Sequence, residues 1–364
     1  MGESPNQLPL TSKEKNTSRN IILDVAKGLL ILFMVVGHAG APSWLVNSIY
    51  SFHMPCFFMI SGILFSYAYL DKPWTFIKKR VKSIWWPFVK WTWIFLLLHN
   101  LFFNLGIYEN SYSFDQILYK IFKIFFLLEV EQLLGGFWFL RALFLASIFC
   151  LFYYKLFGIS RKSLVIGIGI TVALAELITV FDFEFAYIER TNILACSYFM
   201  AGTLLNTIKV KGRKMKNFLI ITGVLLIAFS GIGEKVEMGT LNKLNLIPYF
   251  IKSVMISWGF ILILENFQYK SWVKYLCYLG EKTMDILVLH FLAFRMISLI
   301  KIGIFGMDIE NLKKFPIIED NNSIFWIVYV ILGIIICLGY SKAKDYIETA
   351  ISAWRTRKMS DTLI

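Results

Sequence analysis

Long apolar runs separated by short polar segments dominate the chain. Windows of roughly 19 residues predict about ten helical spans. Strands would be shorter and would alternate apolar with polar positions, which these runs do not. At 1.5 Å per residue, the runs can cross about 30 Å of hydrocarbon. The pattern predicts an all-α, polytopic transmembrane bundle with spans at 21–38, 49–70, 84–103, 137–154, 164–180, 191–208, 217–232, 247–264, 283–300 and 324–340.

The composition supports a membrane protein with the lipid bilayer as its surroundings. Of 364 residues, 57% are hydrophobic and 17% are charged, whereas soluble proteins average about 25% charged residues. An ordinary cytosolic enzyme and a disordered protein are therefore excluded. The net charge of +13 does not indicate a nucleic-acid partner, because the basic residues lie between apolar runs. The five cysteines form no CxxC pair, so no metal site is expected.

The distribution of Lys and Arg predicts the orientation of the bundle, because cytoplasmic loops carry an excess of these residues. With a cytoplasmic N-terminus, the inner segments hold 24 of the 37 Lys and Arg and the outer segments hold 8. We therefore predict a polar cytoplasmic segment at 1–20, a transmembrane domain at 21–340 and a cytoplasmic tail at 341–364. Segment 1–20 lacks the apolar core of a cleavable signal peptide, so we expect 21–38 to be retained.

One further apolar run, at 117–128, could change this topology. It contains Lys120 and Lys123 and is shorter than the predicted spans. A run of this length suits an interfacial or re-entrant helix better than a span. A crossing here would invert every later segment and reverse the charge bias, so we predict that it does not cross.

Ionisable side chains at membrane depth are costly and are therefore candidates for function. All four histidines, His38, His53, His99 and His290, fall in predicted spans. His38 and His53 are equidistant from the turn between the first two spans, so we expect them at similar depth. Imidazole can take a proton from a hydroxyl near neutral pH, which favours general-base chemistry. The alternative, favoured for His99, is a structural hydrogen bond between helices.

Two interpretations also remain open for Asp24 and Lys27. Their i,i+3 spacing allows them to neutralise each other on one helix face. Alternatively, both belong to a reactive site at the start of the first span. No HExxH, GxSxG or phosphate-binding glycine motif is present, which counts against hydrolases and nucleotide enzymes.

The first two spans carry the most specific motifs. Asp24, Lys27 and His38 are separated by three and eleven residues, and Phe52-His53-Met54-Pro55 precedes Phe57-Phe58 and Ser61-Gly62. In these elements the sequence resembles the membrane acyltransferase-3 family, and most of all its branch grouped with fucose 4-O-acetylases. The family usually has Arg at the position of Lys27. Lysine keeps the charge but loses the bidentate fork of a guanidinium.

Weaker elements continue the resemblance to residue 290. A basic loop contains Lys78, Arg80 and Lys82, where Arg80-x-Lys82 is similar to the family's R-x-R element. Trp138-Phe139-Leu140 is similar to its W-F-L entry to a middle span. The run from Leu279-Gly280 to His290 is similar to its late L-G segment ending in Leu-His. We expect no additional esterase-like domain of the kind that some members carry.

The resemblance implies transfer of an acyl group, usually acetyl from acetyl-CoA, to a hydroxyl of a sugar or lipid-linked glycan at the bacterial inner membrane. His38 would act as the base or the acetyl acceptor, and Lys27 would contact CoA or polarise its thioester. His53 and His290 would orient His38 or carry a second proton. The predicted catalytic residues are Asp24, Lys27, His38 and His290. The predicted substrate-binding residues are His53, Lys78, Arg80, Lys82, Trp138 and Arg141.

Arg141, just inside the outer end of the fourth span, is expected to bind an acidic or pyrophosphate part of the acceptor. The basic inner loops suit the phosphates of CoA, although the orientation of the bundle alone also explains them. A transporter or flippase for a lipid-linked glycan is the alternative function, because it would also need buried charges and many spans.

Overall fold

The computed structural model describes residues 12–208, 212–233, 236–240, 245–267, 269–319 and 324–361. Every regular element in these ranges is helical, apart from one isolated β-bridge between Phe185 and Ile188. The all-α prediction is therefore confirmed for the described part of the chain.

Fifteen α-helices follow one another along the described residues. The first seven are α1 Ser12–His38, α2 Ser43–Tyr50, α3 His53–Ile63, α4 Pro73–Arg80, α5 Trp86–Leu97, α6 His99–Asn104 and α7 Phe114–Phe125. The remaining eight are α8 Trp138–Phe157, α9 Arg161–Phe181, α10 Arg190–Thr207, α11 Arg213–Ile232, α12 Leu246–Leu264, α13 Val273–Glu281, α14 Thr283–Phe305 and α15 Phe325–Asp361.

Seven helical segments in the described ranges are long and apolar enough to cross a membrane. They are Ile21–His38, Gln132–Phe157, Arg161–Phe181, Arg213–Ile232, Leu246–Leu264, Thr283–Phe305 and Phe325–Trp354. Each corresponds to one of the predicted spans. The other three predicted spans, at 49–70, 84–103 and 191–208, have helices of different character, so the count of about ten stays a prediction.

The predicted span 191–208 corresponds to α10, an 18-residue helix that runs through the middle of the bundle. Its residues from Leu194 to Thr203 are all buried. A helix enclosed by other helices does not need a lipid-facing surface. This position explains why α10 tolerates Asn, Ser and Thr side chains and is less apolar than the other seven segments.

The predicted span 49–70 is not one helix. It divides into the end of α2 and the whole of α3, with a break at Ser51 and Phe52, and α3 ends at Ile63. Pro55 lies in the first turn of α3. Proline has no N–H to continue the preceding helix but is tolerated in a first turn, so a new helix begins just before it.

The predicted basic loop at 71–83 is wrong, because the structure is helical there. Helix α4 passes through a π-helical turn at Val81–Trp85 directly into α5. Pro73 occupies the first turn of α4, where its missing N–H costs nothing. Pro87 follows the π-helical turn, and a widened turn relieves the clash between a proline ring and the carbonyl four residues earlier.

Helix α7 covers most of the ambiguous run at 117–128. Its 12 residues are fewer than the roughly 20 needed for a crossing. The indole N–H groups of Trp85 and Trp93 donate to carbonyl oxygens of α7, at Phe125 and Ile121, each over 3.2 Å. These two bonds attach α7 to the neighbouring α5 region.

The two predicted terminal segments are helical where the structure describes them. Residues 1–11 of the first and 362–364 of the second lie outside the described residues. Helix α1 already begins at Ser12, and α15 continues to Asp361. The last predicted span therefore extends without interruption into the predicted tail.

Glycine pairs let three pairs of helices approach each other at backbone distance. A Cβ added to Gly28 of α1 would lie 2.0 Å from the carbonyl oxygen of Leu276 in α13, and one on Gly280 would lie 2.1 Å from that of Asp24. Small residues are the usual means of close helix packing in membranes. The other two pairs are Gly62 with Gly202 and Gly223 with Gly259.

Replacing Gly28 by alanine should therefore separate α1 from α13. We expect Gly28→Ala to destabilise the fold by about 1–3 kcal/mol, the usual range for overpacking, and to lower the melting temperature of the purified protein by several degrees. Gly169→Ala is the matched control, because nothing lies within 4 Å of its added Cβ. There alanine should be neutral or stabilise the helix by about 0.5–1 kcal/mol. Equal melting temperatures for both variants would contradict the close crossing.

Candidate active site

His38 is the last residue of α1 and lies among aromatic rings. The hydroxyl of Tyr50, at the end of α2, is 3.3 Å from Nδ1 of His38. The ring centroid of His38 is 5.6 Å from that of His290 and 5.0 Å from that of Phe291, both on α14. The structure therefore brings together two of the predicted catalytic residues, although 252 positions separate them in the sequence.

The buried ring of His290 has a defined proton arrangement. Its Nδ1 is 3.0 Å from the carbonyl oxygen of Leu287 and 3.2 Å from that of Ile286. Carbonyl oxygens only accept hydrogen bonds, so Nδ1 carries the hydrogen and Nε2 carries the lone pair. Nε2 is buried and makes no hydrogen bond to the described residues. His290 thus presents an unused basic nitrogen beside His38.

His53 connects to the same group through Tyr50. The rings of Tyr50 and His53 are stacked with centroids 5.0 Å apart. His53 Nδ1 donates to the carbonyl oxygen of Ile49 over 2.9 Å, which fixes the ring. His38 and His53 therefore contact the same tyrosine, in agreement with their expected similar depth. We call His38, Tyr50, His53 and His290 the histidine cluster.

An acidic residue that the sequence reasoning missed acts on this cluster. The carboxylate of Glu237 interacts electrostatically with the phenols of Tyr50 and Tyr249. The hydroxyl of Tyr249 in turn donates to the backbone oxygen of Tyr50 over 3.4 Å. Glu237 lies in a segment between α11 and α12 that has no recognisable motif, so the sequence offered no signal for its role.

Asp24 and Lys27 lie far from the histidine cluster. Their carboxylate and ammonium groups form an ion pair with a 2.5 Å separation, and both side chains are about one-third exposed or less. Lys27 precedes His38 by eleven residues of one continuous helix, which corresponds to roughly 16 Å along its axis. The structure thus shows the ion pair expected from the i,i+3 spacing and places it near the middle of α1, in the first half of the apolar segment Ile21–His38.

His99 is held in a structural network, as its preferred interpretation predicted. Its Nδ1 is 2.8 Å from the carboxylate of Glu131, and its Nε2 is 2.9 Å from the carbonyl oxygen of Asn110. Its ring stacks on Tyr112 with centroids 3.5 Å apart. Both ring nitrogens of His99 are therefore already within hydrogen-bond distance of other protein groups, which favours a structural role.

Comparison with known proteins shows the family to which this chain belongs. The sequence model described as "Acyltransferase domain", that of the acyltransferase-3 family, matches residues 20–342. The chain belongs to the acyltransferase-3 family. It is also similar to Nodulation protein NolL of Mesorhizobium japonicum, with 30% identity over 145 residues. That match covers 36% of this chain and 35% of NolL, so the chain spans about a third of that relative. No solved structure matches the chain.

The seven apolar helices of its described part and its membership of the acyltransferase-3 family indicate that the chain is a multi-pass membrane protein. The basic acyltransferase-3 element lies on α4 and the π-helical turn. Lys78 and Lys82 are exposed there, whereas Arg80 is half-buried with its guanidinium 4.9 Å from the ring centroid of Phe76. Burial lowers the pKa of Arg80 to about 10. At neutral pH the Arg80 side chain therefore remains cationic.

Trp138, which begins α8 in the W-F-L element, supports the segment that carries Glu237. A Cβ added to Gly239 would lie 3.0 Å from the Trp138 indole. The hydroxyl of Thr191 also donates to the carbonyl oxygen of Met238 over 3.1 Å. These contacts hold the backbone directly after Glu237 against α8 and α10. Substrate binding by Trp138 stays a prediction.

Arg141 is already paired in this acyltransferase-3 protein. One terminal nitrogen of its guanidinium is 2.5 Å from the carboxylate of Glu189, just before α10. The Nε of Arg141 is buried and has no hydrogen-bond partner among the described residues. An acidic group of a substrate would have to share this guanidinium with Glu189. Within the described ranges, no three His, Cys, Asp or Glu side chains lie close enough to hold a metal ion.

The His99–Glu131 pair yields a stability prediction. Glu131 is 2% exposed, and removal of one partner from a buried ion pair costs about 3–5 kcal/mol. We expect Glu131→Gln to lower the melting temperature strongly in a thermal unfolding experiment. Glu129→Gln serves as the control, because the pairs of Glu129 with Lys120 and Lys123 are partly exposed and contribute about 1 kcal/mol or less. If Glu129→Gln were the more harmful change, the structural role of His99 would be wrong.

Proposed function

We propose that the protein transfers an acetyl group from cytoplasmic acetyl-CoA to a hydroxyl of a cell-surface glycan or of its lipid-linked precursor. The observation that carries this proposal is the position of His38 at the end of α1, beside a second imidazole with a free lone pair. The proposed location is the bacterial inner membrane, with about ten spans and both termini in the cytoplasm. The Lys and Arg distribution supports that orientation.

In the proposed reaction, His38 removes the proton from the acceptor hydroxyl. The oxygen then attacks the thioester carbonyl of acetyl-CoA, a C–O bond forms and the C–S bond breaks. The CoA thiolate takes up the proton that His38 received, which regenerates the neutral imidazole. Tyr50 fixes one nitrogen of His38, and the negative charge of Glu237 near Tyr50 would stabilise the imidazolium while it exists.

The donor would approach from the other end of α1. Lys78, Arg80 and Lys82 are proposed to bind the phosphates of CoA, since cations are the usual partners of such groups. Lys27 would then contact the CoA arm between these residues and His38. The roughly 16 Å between Lys27 and His38 suits an extended pantetheine chain. Arg141 and His53 are proposed to contact the acceptor.

Acetyl transfer can be measured directly in inside-out membrane vesicles supplied with labelled acetyl-CoA. We expect label in the glycan or lipid fraction with the wild type. Loss of a general base lowers the rate by about 10²- to 10⁴-fold, so His38→Ala should abolish detectable transfer. Unchanged expression and melting temperature would serve as the folding control.

The other outcomes of this experiment separate the alternatives. Label in both proteins would keep the enzyme class but remove His38 from the role of base. Label in neither, with native acceptor present, would contradict acetyl transfer from acetyl-CoA. In that case a transporter for lipid-linked glycans, or a different acyl donor, becomes the better assignment.

The role of Lys27 can be separated from its ion pair with Asp24. If Lys27 contacts the donor, Lys27→Gln should raise the KM for acetyl-CoA by about tenfold, the effect of about 1.4 kcal/mol. The double variant Asp24→Asn/Lys27→Gln should show the same defect. If Lys27 only neutralises Asp24, the double variant should recover the wild-type KM, and the donor-binding assignment would be wrong. Steady-state kinetics with varied acetyl-CoA provide the measurement.

A further inference from the structure

A cavity of about 220 Å³ lies next to the end of α1 that carries His38. It is lined by Ala39–Ala41, the residues directly after His38, and by the neighbouring residues 317–319. Gly40 has a φ of +77°, and a Cβ there would lie 2.5 Å from the side chain of Ile317. A residue other than glycine would therefore be strained and would also push the two segments apart.

Aromatic side chains from α15 form another wall of this cavity. Phe325, Trp326 and Tyr329 all line it. The hydroxyl of Tyr329 is 2.8 Å from that of Ser298, and it accepts from the backbone N–H of Ile318 over 3.4 Å. Tyr329 thus joins α14, α15 and the preceding loop, and the wall is organised before any ligand binds.

Two buried cations of α14 hold the loop that closes the cavity. Lys301 donates to the carbonyl oxygen of Ile318 over 3.1 Å and lies over the ring of Phe325. One turn and a half earlier, Arg295 donates to the carbonyl oxygens of Leu312, over 2.6 Å, and Lys314. Arg295 and Lys301 are each about 2% exposed, so they hold the loop from its buried side.

We propose that this cavity binds one neutral sugar ring of the acceptor, an assignment that rests on the proposed acetyl transfer. Trp326, a half-buried residue of the lining, can offer an aromatic ring to the C–H groups of a pyranose. The exposed carboxylate of Glu319 can accept hydrogen bonds from hydroxyls. Glu319 and the buried Lys301 are the acidic and the basic residue of the described lining, so the lining has no excess of cations for a carboxylate or phosphate. The sequence position of Ala39–Ala41 places the bound ring next to His38.

The volume narrows the ligand class further. Sites for drug-sized ligands usually measure about 300–1,000 Å³, and this cavity is smaller. It therefore accommodates a single ring and leaves the remainder of the glycan or lipid carrier outside. The protein would recognise the sugar that it modifies and tolerate variation in the units attached to it.

Binding can be tested without any acyl transfer, by saturation-transfer NMR on the purified full chain. The probes are methyl glycosides of glucose, galactose, mannose, fucose and rhamnose, with methyl glucuronide as the anionic comparison. We expect at least one neutral glycoside to receive saturation from the wild type. Trp326→Ala should bind it about tenfold more weakly, the loss expected for a stacked aromatic contact. Trp326→Phe should retain part of the affinity.

Trp354→Ala is the matched control, because Trp354 lies on the same helix but is 60% exposed and does not line the cavity. It should bind the glycoside as the wild type does. The proposal is overturned if no neutral glycoside binds, if Trp326→Ala binds normally, or if the glucuronide binds best. Transfer of labelled acetyl without glycoside binding would refute only this site. Glycoside binding without any transfer would refute only the proposed enzyme activity.

Discussion

Backbone contact between α1 and α13 is the constraint on which the arrangement of the site depends. Apolar side chains gain little from pairing in lipid, so helices associate through close packing and polar contacts. At the Gly28–Gly280 crossing, the carbonyl oxygen of Asp24 is so close to Gly280 that a Cβ on this residue would clash with it. Because α1 also carries Lys27 and His38, the position of α1 fixes both the ion pair and the histidine cluster. The rest of the bundle then closes around it.

Charged side chains perform structural tasks in two loops of this bundle. Arg295 and Lys301 donate hydrogen bonds to backbone carbonyl oxygens and thereby hold the loop between α14 and α15 against α14. His99 and Glu131 form a buried pair that fastens another loop. Ionisable residues at membrane depth are therefore not all reactive in this protein. A histidine whose nitrogens are all satisfied is structural, whereas His290 has one nitrogen in reserve.

The long apolar runs predicted the helical class and the motif spacing predicted the family, whereas a role for His290 beside His38 was expected only from the resemblance to that family. The sequence did not reveal Tyr50, Glu237 or Glu131 as partners, since their contacts join segments that are distant in the chain and follow no pattern. The prediction of a basic loop was wrong for a local reason. Pro73 occupies the first turn of α4, where a helix tolerates proline. The cavity could not be predicted either, because residues 39–41 and 317–319 come together only in the folded protein.

The uninterrupted course of α1 has a geometric consequence for its reactive groups. At 3.6 residues per turn, the eleven residues from Lys27 to His38 make just over three turns, so the two side chains point in directions only about 20° apart. Both side chains therefore lie on the same face of the helix. One inserted residue would rotate His38 by about 100° and turn it out of line with Lys27. The relative position of Lys27 and His38 therefore depends on the rotation about the helix axis as well as on the distance along it.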